Sequence, residues 1–145
     1  MEVKSIIVDT NRYVSFKRGD SDAIEIVRAV PTIVITPVII GELLSGFALG
    51  NREERNKREL ELFLSSERVK LFNINKETGG YYSKIYRDLK SKGKPIPTND
   101  IWIAATAMQY SLSIFTFDKH FNYISDLKVI SQFEDLISFR TADKS

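Results

Sequence analysis

The sequence contains no cysteine and a single histidine, His120. Without cysteine there are no disulfide bridges, no cysteine-ligated zinc and no thiol nucleophile, which suits a reducing compartment. No apolar run approaches the roughly 18 residues that cross a bilayer. The first residues also lack the hydrophobic region of a signal peptide. We therefore expect a cytoplasmic protein with no membrane association.

The chain also lacks a strong excess of one charge, because its net charge is only +2. That value alone does not indicate a nucleic-acid-binding protein. Hydrophobic residues make up 43% of the chain and charged residues of both signs 28%, a composition typical of globular proteins. We find no linker, internal repeat or low-complexity segment, and we predict a single domain over residues 1–145.

Short β-branched apolar runs alternate with segments in which apolar residues recur at helical spacing. Thr36 followed by Pro37 is typical of a helix start, and Thr98 or Asn99 is predicted to cap a later helix. The body of that later helix, 101–108, is almost entirely apolar, so we expect it to be buried. Strands that alternate with helices indicate a parallel sheet of four to five strands covered on both faces, an α/β class fold. The predicted strands are 5–8, 32–35, 69–72, 114–117 and 128–130.

Four acidic residues fall where such a sheet would bind a ligand, outside the carboxyl ends of its strands. Asp9 and Asp118 follow the first and fourth predicted strands. Asp100 lies in the first turn of the buried helix, and Glu42 lies in the helix after the second strand. We therefore expect the four carboxylates to meet at one edge of the sheet.

Three of these acids also have ordinary structural interpretations. Asp9 could cap the first helix, Asp100 could be an acid favoured by the helix dipole, and Asp118 could stabilise a turn. Glu42 is harder to explain in this way, because its neighbours in 38–44 are apolar. An isolated ionised carboxylate is rarely buried without a partner.

A bound cation would account for all four acids. Clustered carboxylates repel one another, which raises their pKa values unless a positive charge is present. Oxygen ligands, without cysteine or suitably spaced histidine, favour Mg²⁺ or Mn²⁺ over zinc. Such ions assist the hydrolysis of phosphodiester bonds.

Four segments around these acids resemble the conserved blocks of the PIN domain family, and most closely the VapC-type toxins of prokaryotic toxin–antitoxin pairs. The likeness covers nearly the whole chain, in the order and spacing of the family. The segment around Asp100 is the most specific of the four. The segments are Val8-Asp9-Thr10-Asn11, Pro37-Val38-Ile39-Ile40-Gly41-Glu42-Leu43, 93–107 and Phe115-Thr116-Phe117-Asp118.

The resemblance implies a PIN-like three-layer α/β/α sandwich with Mg²⁺- or Mn²⁺-dependent endoribonuclease activity on RNA. It also implies a homodimer and a cognate VapB-like antitoxin whose tail enters the active-site groove. By position, the catalytic, metal-binding acids would be Asp9, Glu42, Asp100 and Asp118, with Thr10, Asn11 and Thr116 as their hydroxyl and amide partners. Many relatives carry a further acid two residues after Asp118, where this chain has His120.

Several other polar residues have two interpretations. Four cations at positions 87–94, which precede Asp100, could bind RNA phosphates or could form a solvated helix end. Arg52 and Arg55 alternate with glutamates, which favours a solvated face. We interpret His120 as a solvated turn residue, because metal-assisted hydrolysis needs no histidine base. The four cations are Arg87, Lys90, Lys92 and Lys94.

Two phosphotransfer folds that also place Asp at strand ends fit the sequence less well than a PIN nuclease does. Receiver domains need an acidic pair at the first strand, and haloacid-type phosphatases need Asp-x-Asp; the sequence Asp9-Thr10-Asn11 supplies neither. A PIN nuclease of RNA processing without a toxin role remains an alternative. So does a catalytically silent RNA- or protein-binding scaffold, although the presence of all four acids argues against it.

Overall fold

The computed structural model describes residues 3–137, in which five parallel strands form one sheet in the order β3-β2-β1-β4-β5. The strands are β1 (Ser5–Val8), β2 (Thr32–Ile35), β3 (Val69–Leu71), β4 (Ser113–Phe115) and β5 (Val129–Ile130). The helices are α1 (Thr10–Lys17), α2 (Ser21–Ala29), α3 (Pro37–Leu49), α4 (Glu53–Leu64), α5 (Lys76–Ser91) and α6 (Thr98–Gln109). A 3-10 helix, Lys119–Tyr123, follows β4.

The order of the strands reverses at β1. Within β1, Ile7 is in register with Val34 of β2 on one side and with Ile114 of β4 on the other. Because parallel crossovers are right-handed, the connections leading out to β3 and the connection leading back to β4 lie on opposite faces. The predicted three-layer α/β/α fold is confirmed. The crevice between the carboxyl ends of β1 and β4 is where such sheets bind ligands.

The strands and α6 are the most completely buried parts of a core to which the other helices also contribute. Ile6, Ile7 and Ile114 are 0% exposed, because both faces of the sheet are covered. In α6, Ile103 and the two alanines that follow it are fully buried, which confirms the prediction that this helix is enclosed. Trp102 of the same helix is only half-buried and packs on the ring of Tyr82 in α5.

The ends of the helices match the sequence prediction in α3 but not in α6. The side chain of Thr36 caps α3, with Pro37 at the first helical position. In α6 the cap is Pro97, which has no side-chain hydrogen bond, so the predicted cap at Thr98 or Asn99 is wrong. Pro97 has φ −57° and ψ 145°, so its ψ is not helical and the helix begins at the next residue. The Asn99 side chain then lies on the first turn and is free to reach another element.

Arg12 of α1 is buried beneath the segment that follows β4. Its guanidinium carbon lies 3.5 Å from the ring centroid of Phe117 and 4.4 Å from that of Phe115. One nitrogen pairs with Asp20 at 3.3 Å, and burial lowers the pKa of the guanidinium while Asp20 opposes that shift. The stack attaches α1 to the end of β4. In the part of the chain described, no helix is long and apolar enough to cross a membrane.

Candidate active site

Asp9 lies directly after β1, at the reversal of strand order. Its backbone N–H donates to the carbonyl of Phe115 in β4 at 2.9 Å, so the residue continues the sheet. Its Oδ1 accepts the backbone N–H of Thr10 at 2.9 Å and caps α1. The side chain is therefore a helix cap, as one interpretation of the sequence proposed. It also faces the other acids, so the two roles do not exclude each other.

The second carboxylate oxygen of Asp9 accepts a hydrogen bond from the Thr116 hydroxyl at 2.7 Å. Thr116 is 1% exposed, and its hydroxyl oxygen also accepts the backbone N–H of Asp118 at 2.9 Å. One buried hydroxyl thus joins the first acid to the backbone of the last. Thr116 follows directly after β4, which ends at Phe115, two residues before the end that we predicted.

Glu42 lies on α3 and is half-buried. Its Oε1 accepts the Thr10 hydroxyl at 2.7 Å, and its Oε2 lies 3.4 Å from the amide nitrogen of Asn99. The apolar neighbours that made Glu42 unusual in the sequence face elsewhere, because Ile39 and Leu43 point into the core. Thr10 is the first residue of α1, which Asp9 caps, so its hydrogen bond connects Glu42 to that helix.

Asp100 is 8% exposed in the first turn of α6. Its Oδ2 lies 3.3 Å from Nδ1 of His120, and the same ring nitrogen lies 3.0 Å from Oδ1 of Asp118. Asp118 also accepts the backbone N–H of His120 at 3.0 Å, which caps the 3-10 helix. His120 is therefore not the solvated turn residue that we expected. Its ring joins two of the four acids, although 45% of the side chain remains exposed.

The two most buried acids have raised pKa values. Burial raises the pKa of Asp9 from 3.8 to about 6; hydrogen bonds from Thr116 and Thr10 oppose the shift, and the charges of Asp100 and Glu42 add to it. Burial also raises the pKa of Asp100, against the hydrogen bond from His120. Among residues 3–137, no lysine or arginine forms an ion pair with any of the four acids. The site is therefore short of positive charge.

The remaining predicted partners lie around this cluster with different contacts. Asn11 accepts the backbone N–H of Phe117 at 3.2 Å, so it holds the segment before Asp118 and not a carboxylate. Lys92 donates to Asp88 at 2.8 Å, to Ser125 at 2.7 Å and to the carbonyl of Tyr123 at 3.1 Å. Lys92 thus fastens α5 to the end of the 3-10 helix. Arg87, Lys90 and Lys94 are exposed.

A groove of about 460 Å³ lies between α1, α3 and α4, and Glu42 is the one of the four acids that lines it. Thr10 and Glu42 lie at its edge, and apolar side chains including Leu43 and Phe47 line its wall. Two of its cations, Arg52 and Arg55, are exposed to solvent as expected, and they also line the groove. The cations in the lining are Lys17, Arg18, Arg52 and Arg55.

Comparison with known proteins identifies the family. The family model described as the PIN domain matches residues 6–127, which include all four acids. This chain belongs to the PIN domain family. A PIN domain with four carboxylates at the carboxyl edge of its sheet is what the sequence had led us to expect.

Individual relatives of this PIN domain are similar over most of their length. Ribonuclease VapC2 of Rickettsia felis is 29% identical over 126 residues, which cover 83% of this chain and 92% of the relative. Ribonuclease VapC1 of Haemophilus influenzae strain R2866 is 32% identical over 97 residues, 66% of this chain and 71% of the relative.

Solved structures share the fold of this PIN domain. VapBC2 of Rickettsia felis, bound to a DNA fragment from its promoter, superposes with a TM-score of 0.79 at 23% identity, over 88% of this chain and 98% of the other. VapBC-1 of nontypeable Haemophilus influenzae superposes with a TM-score of 0.72 at 28% identity, over 88% and 97% of the two chains.

The raised pKa of Asp9 gives a pH-dependent prediction for the metal-free protein. The folded carboxyl has a pKa of about 6, above the ordinary value of 3.8, so folding binds the proton more tightly. Ionisation of Asp9 therefore destabilises the fold, with no cost below pH 4 and the full cost above pH 6. Asn is an equally good helix cap. We expect Asp9→Asn to raise the free energy of unfolding at pH 7 by up to about 3 kcal/mol, and to change it little at pH 4.

Urea denaturation in the presence of EDTA at both pH values measures this difference. Asp126→Asn is the matched control, because it removes the same charge from an exposed residue. The control should change stability equally at the two pH values. If Asp9→Asn instead destabilises the protein equally at pH 4 and pH 7, the carboxylate serves the fold through its hydrogen bonds, and charge repulsion is unimportant.

Proposed function

We propose that this chain is a divalent-metal-dependent endoribonuclease and the toxin of a type II toxin–antitoxin pair. The observation that supports the activity is the meeting of four carboxylates from four separate elements at the point where the strand order reverses. Two of them, Asp9 and Asp100, are almost completely buried. Such burial of neighbouring acids is costly unless a cation compensates it.

The donor set fits Mg²⁺ or Mn²⁺. The four acids offer hard oxygen ligands. Glu42 and Asp9 are paired with neutral hydroxyls, and within residues 3–137 no lysine or arginine forms an ion pair with any of the four acids. Asp9, Glu42, Asp100 and Asp118 are the residues that would hold the ion. When bound, the cation supplies positive charge that stabilises the phosphate in the transition state and favours deprotonation of the attacking water.

The role of the surrounding residues is to orient the acids. The Thr116 hydroxyl fixes one oxygen of Asp9, and the Thr10 hydroxyl fixes one oxygen of Glu42. The hydrogen bond from Thr116 lowers the pKa of Asp9, so this hydroxyl also favours the charged state that a cation needs. Asn11 and Lys92 act indirectly. Asn11 holds the segment before Asp118, and Lys92 holds the end of the 3-10 helix.

The groove beside Glu42 is the surface that we propose for the RNA strand. Glu42 lines it, and it carries cations on two helices and the segment before α4, an arrangement suited to phosphates spaced along a single strand. Arg87, Lys90 and Lys94 remain a second candidate surface. Lys92 is less suited to phosphate binding, because Asp88 and two further acceptors already occupy its ammonium group.

The toxin role rests on the relatives. The similar curated proteins bear the name ribonuclease VapC, and the two similar structures described above are VapBC complexes. By this likeness the partner of our chain is a VapB-like antitoxin. A homodimer and a cytoplasmic location stay predictions from the sequence.

The first prediction of this proposal concerns RNA cleavage. The purified protein should cleave single-stranded RNA in Mg²⁺ or Mn²⁺ and should stop when EDTA is added. Asp100→Asn removes one of the buried ligands and should reduce cleavage by at least about 100-fold, while circular dichroism shows an intact fold. Cleavage that persists in EDTA would refute the metal-dependent mechanism.

The second prediction separates the two basic surfaces. In EDTA, where cleavage is off, the double variant Lys17→Gln/Arg52→Gln should bind a fluorescent single-stranded RNA more weakly. The slope of log affinity against log salt should fall by about 0.7 for each phosphate that the variant no longer neutralises. The matched double variant Arg87→Gln/Lys90→Gln removes the same charge from α5 and should leave the slope unchanged. The reverse result would place the RNA along α5.

The third prediction tests the toxin role. Induced expression in a bacterial host should arrest growth, and co-expression of the small open reading frame next to the gene should restore it. Asp100→Asn should be harmless at the same protein level, because arrest requires cleavage. Harmless expression of the active enzyme would instead indicate an RNA-processing nuclease without a toxin role.

A further inference from the structure

The position of His120, the only histidine in the sequence, suggests that the metal site is not made of carboxylates alone. His120 is presented by the 3-10 helix, whose first turn is held by the carboxylate of Asp118. From there Nδ1 is directed at Oδ1 of Asp118 and Oδ2 of Asp100, at 3.0 and 3.3 Å. The turn itself is held by the backbone N–H of His120, so it does not account for a ring nitrogen that lies between two acids.

The three side chains are close enough together to share one ion. One ligand atom from each of Asp100, Asp118 and His120 lies within 4.8 Å of the other two. Two of the three are carboxylate oxygens, and the third is an imidazole nitrogen with a lone pair or a replaceable proton. The contacts between them are those that a cation would replace.

We propose that His120 is a direct ligand, through Nδ1, of the cation bound by Asp100 and Asp118, and that it makes the site select Mn²⁺ over Mg²⁺. This inference rests on the proposed function. It goes beyond it because the family's usual ligands are all carboxylates, whereas this chain has an imidazole where many relatives have a further acid.

The physical reason lies in the preferences of the two ions. Mg²⁺ takes oxygen ligands almost exclusively and keeps much of its water shell, so an imidazole adds little to its binding. Mn²⁺ binds imidazole nitrogen least strongly of the first-row transition ions, but as a member of that series it accepts this ligand more readily than Mg²⁺ does. Exchange of one carboxylate for a neutral imidazole also lowers the negative charge of the site. That loss weakens Mg²⁺, whose binding is chiefly electrostatic, more than it weakens Mn²⁺.

The presence of one histidine in the whole chain makes the test direct. Pulsed electron paramagnetic resonance of bound Mn²⁺ detects the nuclear spin of a coordinated imidazole nitrogen. In protein freed of any histidine tag, such a signal can come only from His120. We expect the ¹⁴N modulation in the wild-type protein and its loss in His120→Asp and in His120→Gln.

Metal affinities give the second readout, measured by titration calorimetry with Mn²⁺ and with Mg²⁺. His120→Asp restores an all-oxygen set, so the preference for Mn²⁺ over Mg²⁺ should fall by on the order of tenfold. His120→Gln should weaken Mn²⁺ by a similar factor. Asn122→Gln, an exposed neutral change in the same 3-10 helix, is the matched control and should alter neither affinity nor the ¹⁴N signal.

The outcomes separate the two levels of the proposal. If Mn²⁺ binds, Asp100→Asn abolishes binding and no ¹⁴N signal appears, the carboxylate site stands and His120 is not a ligand. If the preference for Mn²⁺ is unchanged in His120→Asp, the selectivity is also overturned. If the wild-type protein binds neither ion, the proposed metal-dependent function fails together with this inference.

Discussion

The structure is organised around the burial of one carboxylate, that of Asp9, where the strand order reverses. Burial makes its negative charge costly, and the two nearest acids increase the cost. The fold places neutral donors against it, the backbone N–H of Thr10 and the hydroxyl of Thr116, which relieve part of that cost without neutralising the charge. The remaining strain is electrostatic, and it can be removed by a proton or by a cation.

Because the donors that contact Asp9 are neutral, the site suits a metal ion better than it would if an arginine were paired with the acids. An arginine among the acids would stabilise the empty protein and would compete with the metal for the same oxygens. The chain does contain a buried arginine nearby, Arg12, but it is paired with Asp20 and covered by aromatic rings on its faces. The guanidinium of Arg12 thus lies near the site but is paired with Asp20 and not with the site's acids.

Much of the fold could be predicted from the sequence, because the signals are local. The β-branched runs marked the strands to within about two residues, and Thr36 with Pro37 marked the start of α3. The meeting of the four acids followed from the rule that parallel strands share one carboxyl edge. The start of α6 was misplaced because residues 98 and 99 are typical capping residues, whereas the cap is Pro97, whose side chain can form no capping hydrogen bond.

What could not be predicted depends on tertiary packing. The place of His120 depends on the 3-10 turn and on where α6 brings Asp100, two elements that are distant in the sequence. The groove beside Glu42 depends on the packing of α1, α3 and α4, so a charge pattern typical of a solvated helix gave no sign that Arg52 and Arg55 would line it. For His120 the sequence did contain a signal, because histidine is a common metal ligand and this one lies two residues after Asp118.

The wide spacing of the site along the chain has a consequence for synthesis of the protein. Its side chains come from positions 9, 42, 100, 118 and 120, and β1 acquires its second neighbour only when β4 has formed. A ribosome-bound nascent chain that stops short of β4 has the first acids but no closed crevice between them. An enzyme that cuts RNA as proposed would therefore be harmless to the messenger being translated until most of its own sequence has left the exit tunnel.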